Sequence, residues 1–162
     1  MWLAQVGRVS LLLLDTDIQQ NHPADRPITN TLYIRGREIR LAQELVLGVG
    51  GARALRALEI TPAVWHLNEG HSALAQVERL AEYMERQGRT YDEAMEKLRE
   101  TTVFTTHTPI PAGNEEFARD LTARHLQPFA GRLQVSVDDL LALGHGDHGD
   151  PNQPLNMTAI VL

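Results

Sequence analysis

The sequence predicts an α/β protein, with strands and helices layered about a Rossmann-like sheet. Two observations carry this. Apolar runs of strand length alternate with segments of helical period, the order that builds helices onto a mostly parallel sheet. In addition, two strand–loop–helix units, AVWHLNEGHSA at 63–73 and TTVFTTHTPIPAGNE at 101–115, carry His, Asn and Glu at or just past the strand. Open α/β sheets hold ligands at the carboxyl ends of their strands, so the two loops are expected to line one crevice.

Residues 6–14, VGRVSLLLL, read as a buried strand closed by Asp15-Thr16-Asp17. Residues 19–30, with Pro23 and Pro27, read as a loop. Between 36 and 58, Ile39, Ala42, Leu45, Val46, Val49, Ala52 and Leu55 recur at helical spacing. Gly48, Gly50 and Gly51 interrupt that helix. Each costs roughly 1 kcal/mol against alanine, so a break or a close packing contact is expected near Gly50. Pro62 resets the chain before a strand at 63–67 and a tight polar turn, Asn68-Glu69-Gly70-His71. Ser72 is the expected N-cap of a helix reaching Gln87, with Leu74, Val77, Leu80, Ala81 and Met84 on its apolar face and Gly88 as C-cap. Thr90 and Glu93 form a capping-box pattern for a helix that ends near Glu100. Residues 101–106 alternate as a strand does. A helix is expected over 115–125, and a short one capped by Ser136 with Asp139. Residues 144–151 read as a surface loop and 155–162 as an apolar strand.

The 162 residues suffice for one domain with a real core. With 43% hydrophobic and 22% charged residues the composition is that of a soluble globular protein. A formal charge of −6 and no basic stripe argue against a nucleic-acid partner. No apolar run is long enough to span a bilayer, and the first residues lack the basic flank of a signal peptide. The absence of cysteine excludes disulfides and thiolate metal sites and fits a cytoplasmic setting. Arginine outnumbers lysine 14 to one. Any Schiff-base chemistry within this chain therefore has only Lys97 to use.

Several constellations have both a chemical and a plain reading. Asp15-Thr16-Asp17 after an apolar strand resembles the aspartate motif of haloacid-dehalogenase-like phosphatases, but also reads as a strand end with solvated carboxylates. Gly70-His71-Ser72-Ala73-Leu74 has the form of a nucleophile elbow with leucine at the last glycine position. His66, Glu69 and His71 offer metal-ligand types without the spacing of two histidines on one helical face, and His145, Asp147, His148 and Asp150 offer them on a Gly-rich loop of the kind that usually stays solvated. His107 sits in a loop stiffened by Pro109 and Pro111, where Gly113 lets the backbone approach a ligand. Its plain reading is a satisfied histidine in a rigid connection.

Taken together, VWHLNEGHSAL, VFTTHTPIPAGNEEF, QVGRVSLLLLDTD, IRLAQELVLGVGGARALRAL and NMTAIVL resemble, in order, the α-glucan (glycogen/starch/maltodextrin) phosphorylases of the short bacterial and archaeal branch. The resemblance implies transfer of a terminal α-1,4-linked glucose to phosphate, giving glucose 1-phosphate. It implies a GT-B fold of two Rossmann-like domains facing a cleft, with residues 1–162 part of the N-terminal domain and cut at both ends. It implies pyridoxal phosphate as cofactor, bound to a lysine outside this chain. His107 matches the histidine whose main-chain carbonyl contacts the reacting glucose. Glu69 and His71 match positions lining the cleft on the acceptor side, Gly113 one beside the glucose pocket, and Asn68 precedes them in the same turn. The partners to expect are an α-1,4-glucan and phosphate, with a homo-oligomer as a further option. The family's glycine-rich phosphate loop has no counterpart here. A nucleotide-sugar glucosyltransferase of the glycogen-synthase type, or a non-catalytic sugar-binding module, are the alternatives.

Overall fold

The computed structural model describes residues 1–32, 35–108, 114–145 and 153–161. The architecture is mixed α/β, but the sheet content is small. Six strands pair two by two, and no sheet among the described residues exceeds two strands. The expected single layered sheet is therefore represented by one parallel pair and two antiparallel ones.

The predicted buried strand is half of a hairpin, β1 (Trp2–Val6) and β2 (Val9–Leu13), in register from Trp2 opposite Leu13 to Val6 opposite Val9. Gly7-Arg8 makes the two-residue turn, with Gly7 at φ +60°, the conformation such hairpins reserve for glycine. The hairpin is largely exposed, Trp2 at 65% and Leu3 at 70%.

The helical stretch at 36–58 is one continuous run with a widened middle: α1 (Arg37–Leu45), a π turn (Val46–Gly50) and α2 (Gly51–Ala57). Its buried stripe is Leu41, Glu44, Gly48, Val49 and Ala52, whereas Ile39 faces solvent. The glycine run does make a close contact. A Cβ on Gly48 would sit 2.6 Å from the backbone nitrogen of Ala75 and 2.9 Å from the carbonyl carbon of Leu74. Backbone cannot yield as a side-chain tip can, so Gly48→Ala should cost about 1–3 kcal/mol, as overpacking does elsewhere. Urea denaturation of the variant gives the number. An unchanged midpoint would show that the two segments separate freely.

Residues 65–105 form the centre of the fold. β3 (Trp65–Asn68) pairs in parallel with β4 (Thr102–Thr105), Trp65 opposite Thr102 and Asn68 opposite Thr105. Between them run α3 (Ala75–Gln87) and α4 (Tyr91–Glu100). Ser72 is not the N-cap of α3. It lies in a 3-10 turn, Gly70–Ser72, and Leu74 occupies the cap position without a side-chain bond. Gly88 ends α3 in the left-handed conformation, and Thr90 and Glu93 form the full capping box of α4.

Further on, Glu116–Phe117 is a strand, β5, rather than the start of a helix, because Phe117 is fully buried opposite Leu155 of β6 (Leu155–Asn156). The helix that follows, α5 (Arg119–Leu133), runs well past residue 125 and carries Pro128 inside it. Ser136 and Asp139 box the start of α6 (Val137–Ala142). The predicted final strand stops after two residues. The Asn156 side chain accepts the N–H groups of Thr158 and Ala159, which turns the backbone into a 3-10 segment, Ala159–Val161.

The core is built from Leu41 of α1, Leu74, Val77 and Leu80 around α3, Leu126 and Leu133 of α5, and Leu140 and Leu141 of α6. Two charged side chains of α3 are buried within it. Glu78 meets Arg53, Arg56 and Arg132 from α2 and α5. Arg79 is bonded to Gln76, Tyr83, Thr101 and Thr102, with its guanidinium 4.7 Å above the Trp65 ring. α3 is thereby tied to the base of both parallel strands. No helix among the described residues is long and apolar enough to cross a membrane.

Candidate functional site

In a parallel pair both strands end on the same side, and the register here brings Asn68 level with Thr105. The loops that follow are joined at once. The Glu69 backbone N–H bonds the Thr105 carbonyl at 2.8 Å, which extends the ladder by one step. The Glu69 side chain then turns across to the second loop. Its carboxylate accepts the His107 backbone N–H at 2.5 Å and the hydroxyls of Thr108 at 3.2 Å and Thr106 at 3.3 Å. The His107 ring is held as well, its Nε2 lying 2.9 Å from Asn68 Oδ1. That oxygen can only accept, so Nε2 carries the proton. The two loops expected to share a crevice are thus bonded together, with Asn68 and Glu69 each joined to His107; the cavity that Asn68 lines takes no residue from the second loop.

Glu69 reaches this position from an unusual backbone conformation, φ +61° and ψ 176°, a region nearly reserved for glycine. The bond from the His107 N–H, helped by the two threonine hydroxyls, holds its carboxyl below the usual carboxylate range. Glu69 is therefore an anion that organises the His107 loop.

His71 lies apart from these three. The 3-10 turn carries it toward α1, where Arg40 Nη2 is 3.0 Å from its Nδ1. Around that contact stand two carboxyls. Glu44, almost wholly buried, has Oε1 3.1 Å from Arg40 Nη2 and 3.6 Å from His71 Nδ1. Glu115 lies 3.5 Å from Arg40 Nε and 2.5 Å from Arg37. The Arg40 nitrogen is close to Glu44 but off the line of a hydrogen bond, so both Glu44 oxygens lack a bonded donor. Burial pushes the Glu44 carboxyl up to about 8; Arg40 opposes this and the charge of Glu115 adds to it. Ligand-type atoms of Glu44, His71 and Glu115 all lie within 4.8 Å of one another. The Arg40 guanidinium supplies a positive charge among them.

Arg40, Glu44, Asn68 and His71 share the wall of a cavity of about 790 Å³ that extends under β2 and α2. Arg40, Glu44 and Glu115 escaped sequence reasoning. A signal did exist: Glu44 falls on the stripe of Leu41 and Gly48, where a charge is out of place unless something meets it.

The other sequence candidates separate. His66 bonds Thr105 Oγ1 at 2.7 Å, Glu69 faces His107 and His71 faces Arg40, so those three do not form a metal site. Asp15 accepts from the Trp2 indole and from its own turn, the plain reading of that motif. Gly113, Asp147, His148 and Asp150 lie outside the described residues. Lys97, the only lysine, is on the exposed side of α4, 3.3 Å from Glu100.

No protein-family model matches the chain. Curated proteins do. It is 48% identical over 157 residues to maltodextrin phosphorylase of Thermococcus litoralis, an alignment that covers 97% of this chain and 18% of that protein. It is 41% identical over 158 residues to glycogen phosphorylase of Mycobacterium tuberculosis, covering 91% of this chain and 18% of the relative. Glycogen phosphorylase of Aquifex aeolicus is 30% identical over 162 residues, covering the whole chain and 23% of the relative. The chain spans about a fifth of the length of the curated relatives it matches.

Proposed function

From its homology to one segment of the maltodextrin and glycogen phosphorylases, we infer that this chain forms one wall of the glucan cleft of a cytoplasmic α-glucan phosphorylase. The enzyme moves the terminal α-1,4-linked glucose of a glucan to phosphate and releases glucose 1-phosphate. The chain is the inner part of a GT-B N-terminal domain, and the second wall belongs to the rest of a longer polypeptide.

The observation that supports this reading best is the bonded set of Asn68, Glu69 and His107 at in-register strand ends. Glucosyl transfer passes through an oxocarbenium-like state. A polar group stabilises such a state only if it is already in place when charge develops. Here the His107 backbone is held from both sides, by Glu69 at its N–H and by Asn68 at its ring, so that its carbonyl is presented at a fixed position. The family resemblance adds Gly113 and His71 to the set of residues expected to meet the sugar.

The family resemblance implies pyridoxal phosphate, and this chain does not hold it. Lys97 is half-exposed, and among the described residues its ion-pair partner is the Glu100 carboxylate at 3.3 Å. The cofactor is held by other residues of the longer polypeptide.

The test is phosphorolysis of maltodextrin by the longer polypeptide that contains this segment, with and without pyridoxal phosphate. Glucose 1-phosphate formed only with the cofactor is the expected result. Glucosyl transfer from a nucleotide sugar without phosphorolysis would replace this reading with that of a synthase. The 162-residue chain alone should release no glucose 1-phosphate. Borohydride should trap no stoichiometric cofactor on its Lys97, and mass spectrometry reads this directly.

A further inference from the structure

A guanidinium can only donate hydrogen bonds, and it keeps its charge at any ordinary pH. Arg40 Nη2 lies 3.0 Å from His71 Nδ1. That nitrogen must therefore accept, which puts the ring proton on Nε2. The nearest carboxyl oxygen that could draw a proton onto Nδ1 is Glu44 Oε1, and at 3.6 Å it is beyond hydrogen-bond reach. Arg40 itself has little freedom to move away. It is largely enclosed, with Glu44 at 3.1 Å, Glu115 at 3.5 Å and Gln43 at 3.4 Å around its head group. No acceptor among the described residues meets His71 Nε2, and the ring is half-exposed on the wall of the large cavity.

We propose that Arg40 is a positioning residue of the glucan cleft: it fixes His71 as the Nε2–H tautomer, so that the ring presents a donor, not an acceptor, to a sugar hydroxyl. The consequence is a rule of recognition. A sugar hydroxyl at this point must offer its oxygen to His71 and spend its own proton elsewhere. A sugar derivative that presents only a donor there is refused, because two N–H or O–H groups would face each other unpaired. The raised proton affinity of Glu44 fits the arrangement, since a protonated carboxyl does not draw the ring proton onto Nδ1 as a carboxylate would. The proposal rests on the reading of His71 as a glucan-facing residue, and its test separates the two.

The chain labelled with nitrogen-15 in its histidine rings reports the tautomer by NMR, and His71→Gln identifies the His71 signals among the seven histidines. The expected wild-type pattern is a single Nε2–H tautomer, with Nδ1 seen as the bare nitrogen. Arg40→Met should move His71 to the averaged two-tautomer pattern of an untethered imidazole. Arg40→Lys, which returns a cationic donor, should restore much of the single pattern. Glu44→Gln should leave it unchanged, and it also serves if Arg40→Met does not fold. A wild-type proton on Nδ1, or a tautomer that follows Glu44→Gln but not Arg40→Met, overturns the proposal. Maltoheptaose is then added to the longer polypeptide that contains this segment, labelled in the same way. A shift of the His71 Nε2 signal supports donation to a glucan hydroxyl. A fixed tautomer with no response up to millimolar sugar removes the recognition role, and with it the glucan reading of His71, while leaving the contact with Arg40 as a purely structural one.

Discussion

Replacing Glu78 by alanine is expected to destabilise the chain by about 3 kcal/mol, toward the lower end of what removal of one partner from a buried ion pair costs. Glu78 is fully buried on α3 and receives Arg53 at 2.9 Å and Arg132 at 2.7 Å, with Arg56 at 3.5 Å. These arginines come from α2 and α5, so one carboxylate joins three helices. The loss stays at the lower end because the arginines are not stranded. Their side chains are between a quarter and a half exposed, Arg132 also binds Glu85, and Arg56 also binds Glu82. The pH dependence has a definite sign. Burial alone would raise the Glu78 carboxyl, but the hydrogen bonds and charges of Arg53 and Arg132 outweigh it and hold the group below its usual value. A carboxyl so lowered contributes fully above the unfolded-state value of 4.5, and the contribution is lost as pH falls through the lower, folded-state value. Chemical denaturation of wild type and Glu78→Gln should therefore differ at neutral pH and converge in acid. Should Glu78→Ala lie within 1 kcal/mol of wild type at pH 7, the network would be ornament rather than a clamp.

The second large effect concerns catalysis in the longer polypeptide. His107→Ala and Glu69→Ala should each lower phosphorolysis on the order of 10²-fold, the size expected when one transition-state contact is displaced. The loss should appear mainly in kcat, because a contact with developing charge strengthens as the reaction proceeds. His107→Asn should retain more activity than His107→Ala, since an amide can still bond Asn68 and keep the loop in place. If the imidazole acted as a general acid or base, the two His107 variants would be equally impaired and both would lose one limb of the pH–rate profile. Glu69→Gln adds a check on the clamp. Without the anion, the His107 amide should exchange with solvent faster, and that readout needs no substrate.

Much of the fold could be read from the sequence where a local rule decided it. Thr90 with Glu93, Ser136 with Asp139, and Gly88 each complete a cap within a few residues, and each stands where the spacing put it. The meeting of the two loops was legible for a different reason. Two strands that end in the same polar vocabulary need only lie side by side, and the helices between 68 and 102 allow that. The errors share a cause, which is a side chain or turn that overrode an apolar run. Gly7 folded one apparent strand into a hairpin, and the Asn156 side chain took the N–H groups that a strand at 155–162 would have needed. Burial of Phe117 against Leu155 was equally invisible, since it joins residues 38 apart in sequence. Arg40 and His71 meet from 31 positions apart, and nothing local announces it. The extent of the sheet was not legible either, because alternation of strands and helices gives an order of elements and not the number that pair.

The parallel pairing of β3 with β4 has an evolutionary side. What places His107 beside Asn68 and Glu69 is the ladder between the strands and the bonds across their ends, and none of these groups belongs to the turn between α3 and α4. Residues 88–89 can therefore gain or lose neighbours by insertion or deletion while the two loops keep their spacing. Selection can reshape the outer connection without disturbing the chemistry. The reverse does not hold: a one-residue slip in either strand would send every side chain at the crevice to the opposite face. Variation in descendants of this sequence should accumulate at the helical turn and be nearly absent between Trp65 and Glu69 and between Thr102 and Thr108.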